Sequence, residues 1–133
     1  MQTQTDPLMP KDQDVLKRDE TQSLISADKV EGTEIYNLQG KHLGEVETVM
    51  IDKLSGKVAY AVVAFGGFLG LGEHRRALPW SILEYNTELE GYVLKAEDEV
   101  LRKIPDVPAS DDLGDAEWGN RVHAHFGVPP YWG

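Results

Sequence analysis

Glu45 and Glu47 stand two positions apart, and on an extended strand that spacing puts both carboxylates on one face, the pairing that general acid and base chemistry needs. Nothing nearby supplies a nucleophile or an oxyanion donor pattern, so the pair reads as the solvated outer face of a strand. His123-Ala124-His125 has the spacing of paired metal ligands on a strand. Trp118, Val122 and Phe126, however, recur at helical spacing, acids precede them and Gly127 follows. On a helix the two histidines point about 200° apart, and no third ligand accompanies them, so no metal site is assigned. The run Gly66-Gly67-Phe68-Leu69-Gly70-Leu71-Gly72 invites comparison with phosphate-cradling loops. Glu73 stands where a P-loop carries lysine, and Arg75 where a dinucleotide fingerprint carries its last glycine. The run is therefore expected to be a structural glycine loop, with Phe68, Leu69 and Leu71 capping one end of the domain or exposed to a partner. His74-Arg75-Arg76 is the basic cluster of the middle segment and reads as a charged strand edge, with contact to an acidic partner as the functional alternative. Pro129-Pro130-Tyr131-Trp132 lacks the P-x-x-P spacing of a proline-rich docking peptide; an aromatic tail folded on its own domain, or on a second subunit, is the simpler expectation. His42 and His74 are lone histidines without an assigned role. No catalytic, cofactor-binding or metal-ligating set follows from these residues.

The elements that must position them fall into three parts. Residues 1–23 contain no aromatic side chain and few large apolar ones, too little to offset the entropy of ordering, and are expected to form a disordered tail. Residues 24–105 alternate short apolar runs with glycine and polar pairs, the rhythm of a small β domain. Strands are expected over residues 33–38, 43–51, 58–65, 74–78 and 91–95. The turn chemistry of Asp52 to Lys57 makes the second and third an antiparallel hairpin. Both alternating sets of the third strand are apolar, Val58, Tyr60, Val62 and Ala64 on one side and Ala59, Ala61, Val63 and Phe65 on the other. Such a strand is covered on both faces, which implies a barrel or a sandwich. Ile35, Val46, Val62, Leu78, Ile82 and Val93 are the expected core. A short helix over 96–104 ends at Pro105, and residues 106–133 form an acidic linker, a helix and the aromatic tail.

The chain has 133 residues and a formal net charge of −10, from 23 acidic and 13 basic side chains. That charge repels phosphate backbones and anionic lipid, so neither nucleic acid nor a membrane surface is expected as a partner. The absence of cysteine excludes disulfide scaffolds, thiolate metal sites and thiol nucleophiles. No apolar run reaches the roughly 18 residues that would span a bilayer, and a cytoplasmic protein is expected.

The order Leu24-Ile25-Ser26, Gly32-Thr33-x-Ile35-Tyr36, Gly40-x-x-Leu43-Gly44-x-Val46 and Ile51-Asp52 before Ser55-Gly56-Lys57-Val58 resembles the PRC-barrel family. So do residues 65–72 running into Ala77-Leu78-Pro79-Trp80, and the final residues 101–105. The resemblance implies a mainly β fold, a small antiparallel PRC-type β-barrel followed by a short helix, here with a helical and aromatic C-terminal extension. It also implies a stand-alone bacterial protein that binds other proteins, often a copy of itself, with no catalytic residues and no cofactor to carry over. A homodimer and an unidentified protein partner are expected, with Phe68, Leu69, Leu71, Arg75, Arg76, Tyr131 and Trp132 as the partner-binding residues. An accessory role in photosynthetic electron transfer, like that of the reaction centre H subunit, rests on family analogy alone. An enzyme of unknown reaction is the further alternative.

Overall fold

In the computed structural model, residues 20, 21, 23–66 and 74–132 are described. Within them lie strands β1 (Glu34–Tyr36), β2 (His42–Ile51), β3 (Val58–Phe65), β4 (Arg75–Pro79), β5 (Leu83–Asn86) and β6 (Gly91–Leu94). Helices α1 (Ala27–Val30), α2 (Asp98–Arg102) and α3 (Ala116–Phe126) flank them, and a 3₁₀ turn (Trp80–Ile82) joins β4 to β5. The expected disordered tail lies, up to residue 19, outside the described residues. Glu20 bridges to Ile25 and holds Lys29 in an ion pair at 3.3 Å.

The strands form one sheet in the order β4-β3-β2-β1-β6-β5. All neighbours are antiparallel except β1 and β6, which run parallel, a departure from the purely antiparallel expectation. It arises because β5 and β6 form a hairpin that enters from the far side of the sheet, on Asn86, whose side-chain oxygen accepts from the amides of Glu88 and Leu89, both at 2.9 Å. β4 and β5 sit at opposite edges, yet only the Trp80–Ile82 turn separates them. A connection that short spans at most about 14 Å, whereas the edges of a flat sheet of this width would stand about 24 Å apart. The sheet must therefore curl into a half-barrel. Gly44 makes the curl possible: it pairs with Phe65 so closely that a Cβ on it would overlap the carbonyl oxygen of Ala64. Register shifts at Val46/Thr48 and Met50/Ile51 add the local twist that bulges bring.

The concave side holds the main core. Ile35, Leu43, Val46, Ala61, Val63, Phe65, Leu78, Ile82 and Leu94 fill it, and Val30, Leu101 and Ile104 close it from the helices. Four of the expected core residues, Ile35, Val46, Leu78 and Ile82, are buried there, but Val62 and Val93 are only half-buried and point elsewhere. For Val62 the reason is the ambiguity of β3. With both alternating sets apolar, the period alone does not say which faces the main core, and there it is Ala61, Val63 and Phe65. Val93 lies between Tyr92 and Leu94, which are buried in its place.

The other face of β3 is covered by α3. Tyr60 and Ala77 pack against Trp118 and Val122. Asp115 caps the helix by accepting from the amide of Trp118 at 2.9 Å. The Trp118 indole donates to the carbonyl of Asp106 at 2.9 Å, which ties the acidic linker down. At the other end the amides of Gly127 and Val128 donate to the carbonyls of Ala124 and His123, both at 3.1 Å, and satisfy the last turn. The short helix expected over 96–104 is α2, trimmed by Glu97 in extended backbone and by Lys103. The strand Leu83–Asn86 and the single turn Ala27–Val30 were not expected from the sequence. Each is too short to show a period.

Candidate functional site

Register lines up a row of side chains across the convex face. Glu34 pairs with Glu45, Glu45 with Ala64 and Ala64 with Arg75, and side chains directly opposite one another share a face. The row floors an open groove of about 630 Å³ that also takes in His42, Glu47, His74 and Arg76. The glutamate pair of the sequence, Glu45 and Glu47, thus lies together on this groove. The charges pair within it. The Arg75 Nε donates to Glu47 at 2.7 Å, and the His42 Nε2 contacts the Glu34 carboxylate. Arg76 is mostly buried; one terminal nitrogen meets the Asp106 carboxylate at 3.1 Å and the other donates to the Arg75 carbonyl at 2.9 Å. Its Nε is buried without a hydrogen-bond partner. Both arginines sit on β4, an edge strand, where charge discourages pairing with a further strand. Among the described residues, Glu34 and Glu47 of the groove are thus paired and Glu45 is not.

Phe68, Leu69 and Leu71, expected at a partner contact, lie outside the described residues. Tyr131 and Trp132 are described, and they fold back on their own barrel. Tyr131 meets Tyr60 edge-on, ring centroids 5.5 Å apart, and Trp132 meets the imidazole of His123 in the same manner at 5.3 Å. Trp132 lies over Gly119, where a Cβ would come within 2.9 Å of the indole Cη2. A side chain on α3 at that position would push the tail off. Tyr60 is the centre of this cluster, and its hydroxyl is buried with no hydrogen-bond partner among the described residues. Burial first, then the neighbouring Tyr131, pushes its phenol well above the ordinary value of 10.

The two histidines of the His-Ala-His sequence part company. His123 is buried in the aromatic cluster with Nδ1 at 2.6 Å from the Gly119 carbonyl, and His125 reaches the carbonyl of Val100 at 2.8 Å. Among the described residues no group of three or more metal-ligating side chains converges.

Sequence reasoning missed an apolar surface at the tip of the β2–β3 hairpin. Leu54 is 97% exposed, and Met50 and Ile51 on β2 are 42% and 52% exposed. Leu54 lines an open groove with Leu113, Tyr131 and Trp132, so the hairpin tip and the aromatic tail meet. The available signal was a leucine inside a turn whose other members are all polar or glycine. His42 was also passed over, although its partner Glu34 lies on the neighbouring strand.

The family model for the PRC-barrel domain matches residues 23–101, and the chain belongs to that family. The match takes in every strand and stops within α2, so α3 and the aromatic tail are additions to the family domain. No curated protein matches the chain. No helix among the described residues is long and apolar enough to cross a membrane.

Proposed function

We propose that the protein is a non-catalytic binding module, an adaptor that self-associates through its barrel and offers surface to other proteins. One contrast carries the reading. Most ionisable side chains of the convex groove are engaged, Arg75 with Glu47, His42 with Glu34 and Arg76 with Asp106 of the linker. Large apolar side chains, by contrast, stand in water at the hairpin tip and tail. Catalysis requires the reverse arrangement, reactive groups left free and poised in a protected pocket. Family membership supports the same reading as an analogy of fold.

The test has two arms. Sedimentation of the full chain at micromolar concentration should give a dimer; a monomer at every concentration overturns self-association. Screening the purified protein for turnover should find none that depends on its own residues. A defined reaction abolished by alanine at one carboxylate or histidine would overturn the non-catalytic reading.

A further inference from the structure

The β2–β3 turn is built by polar residues: the Asp52 carboxylate accepts from the Ser55 amide at 3.1 Å and from its hydroxyl at 2.6 Å. Those bonds, the hydroxyl's first, hold the Asp52 carboxyl below its usual pKa and so keep it charged. The Leu54 side chain is almost wholly in water. It faces a groove of about 410 Å³ whose other apolar walls are Leu113, Tyr131 and Trp132. Trp132 has one part of its ring over Gly119 and is still 50% exposed. Met50 continues the patch, since it pairs with Tyr60, on which Tyr131 rests. A patch that joins a hairpin tip to a docked tail is a surface to be covered.

Charge decides what covers it. The charged residues lining the groove are Asp52 and Asp115. The approach to α3 adds Asp111, Asp112 and Glu117, against Lys53 and Lys57 in the hairpin. A second copy carries the same excess of acids over lysines on this face and −10 overall, so a symmetric contact would bring two like-charged faces together, which repulsion opposes. We infer that this face receives a cationic amphipathic segment of another protein. Its apolar side chains seat between Leu54 and Trp132, and its lysines or arginines face Asp52, Asp115 and the acids of residues 111–117. The inference rests on the binding-module reading and names the chemistry of its partner; self-association then uses another part of the barrel.

The test titrates the full chain with a synthetic leucine/lysine peptide patterned as an amphipathic helix, with a scrambled peptide of the same composition, and with the leucine/glutamate counterpart. Backbone amide shifts and tryptophan fluorescence report the site. The patterned cationic peptide should bind about tenfold or more tighter than the scrambled one, a difference of about 1.4 kcal/mol. The shifts should map to residues 50–54, 113–116 and 131–132, and the anionic peptide should not bind. Leu54→Asp adds negative charge while removing the apolar anchor, and should weaken binding about tenfold. Leu24→Ser, at an exposed leucine remote from this groove, should leave binding unchanged. Equal binding of the scrambled peptide, unchanged or tighter binding by Leu54→Asp, or shifts elsewhere would overturn the inference. A dimer that Leu54→Asp dissociates would overturn it too, by giving the face to a second copy, while leaving the binding module intact.

Discussion

Tyr60 shows how one residue can be well packed and poorly solvated at once. Its ring contacts Trp118, His123 and Tyr131, with centroids 5.0, 5.5 and 5.5 Å away, while its hydroxyl is buried and has no partner among the described residues. A buried, unpaired hydroxyl costs about 1–3 kcal/mol. Tyr60→Phe keeps the ring contacts and removes that cost, so it should stabilise the protein by about 1 kcal/mol or more, read as a higher urea midpoint at unchanged m. A loss of stability would mean that the hydroxyl has a partner after all. The same burial fixes a pH dependence. The phenols of Tyr60, Tyr85 and Tyr92 are all raised above 10, in each case by burial first. Below pH 10 both folded and unfolded chains keep these protons and the full stability is present. Above it the unfolded chain ionises first, so stability falls as pH rises until the folded phenols ionise in turn. Tyr60→Phe should flatten this alkaline fall, and an unchanged slope from pH 9 to 11 would count against the burial argument. None of this was legible in the sequence, where Tyr60 is one apolar member of an alternating set.

At the scale of elements, β3 and β2 carry the fold. The limits of β3, Val58–Phe65, coincide with the sequence expectation because the run is unbroken and wholly apolar, rich in valine and aromatic residues, and bounded by turn chemistry on one side and glycine on the other. Its facing did not follow from the same residues, since a strand apolar on both sides carries no phase. Val63→Ala should therefore cost about 2 kcal/mol and Val62→Ala about half as much or less, because Val63 is fully buried and Val62 only half-buried. Equal costs would show the two faces to be equally packed. Gly44 on β2 belongs to the recurring pattern read from the sequence, but its purpose needs the neighbouring backbone of Ala64. Gly44→Ala should force β2 and β3 apart and lower stability by about 1–3 kcal/mol or more. A variant with unchanged thermal midpoint would mean that the sheet can curl without this contact. The apolar residues at the tail and the hairpin tip divide by the same logic. Tyr131 and Trp132 were legible as a docked tail because aromatic area concentrated in so few residues has to be buried somewhere. Leu54 was not, because a single exposed leucine has no periodicity and gains meaning only from the groove beside it.

For the whole molecule, the boundary of the family match and the boundary of the packed structure are different. The match ends at residue 101, but Trp118 and Val122 bury the convex side of β3, and the Trp118 indole is bonded to the linker that joins the two parts. A half-barrel leaves one sheet face to be covered, and in this chain α3 does so from the same polypeptide. Truncation after residue 105 should therefore bare Tyr60 and Ala77 together. At about 1.5–3 kcal/mol for each large apolar side chain returned to water, losing the contacts of Trp118 and Val122 should cost about 4 kcal/mol. For a domain of this size that lowers the thermal midpoint by about 15 to 30 °C. The truncated barrel should also bind a hydrophobic dye that the full chain does not, since the uncovered face is a contiguous apolar patch. A truncated barrel that melts within a few degrees of the full chain would make α3 a passenger rather than part of the fold. The distinction bears on binding, because Tyr131 and Trp132 reach the hairpin tip only while α3 is docked, and the acidic apolar groove beside Leu54 is assembled from both ends of that arrangement.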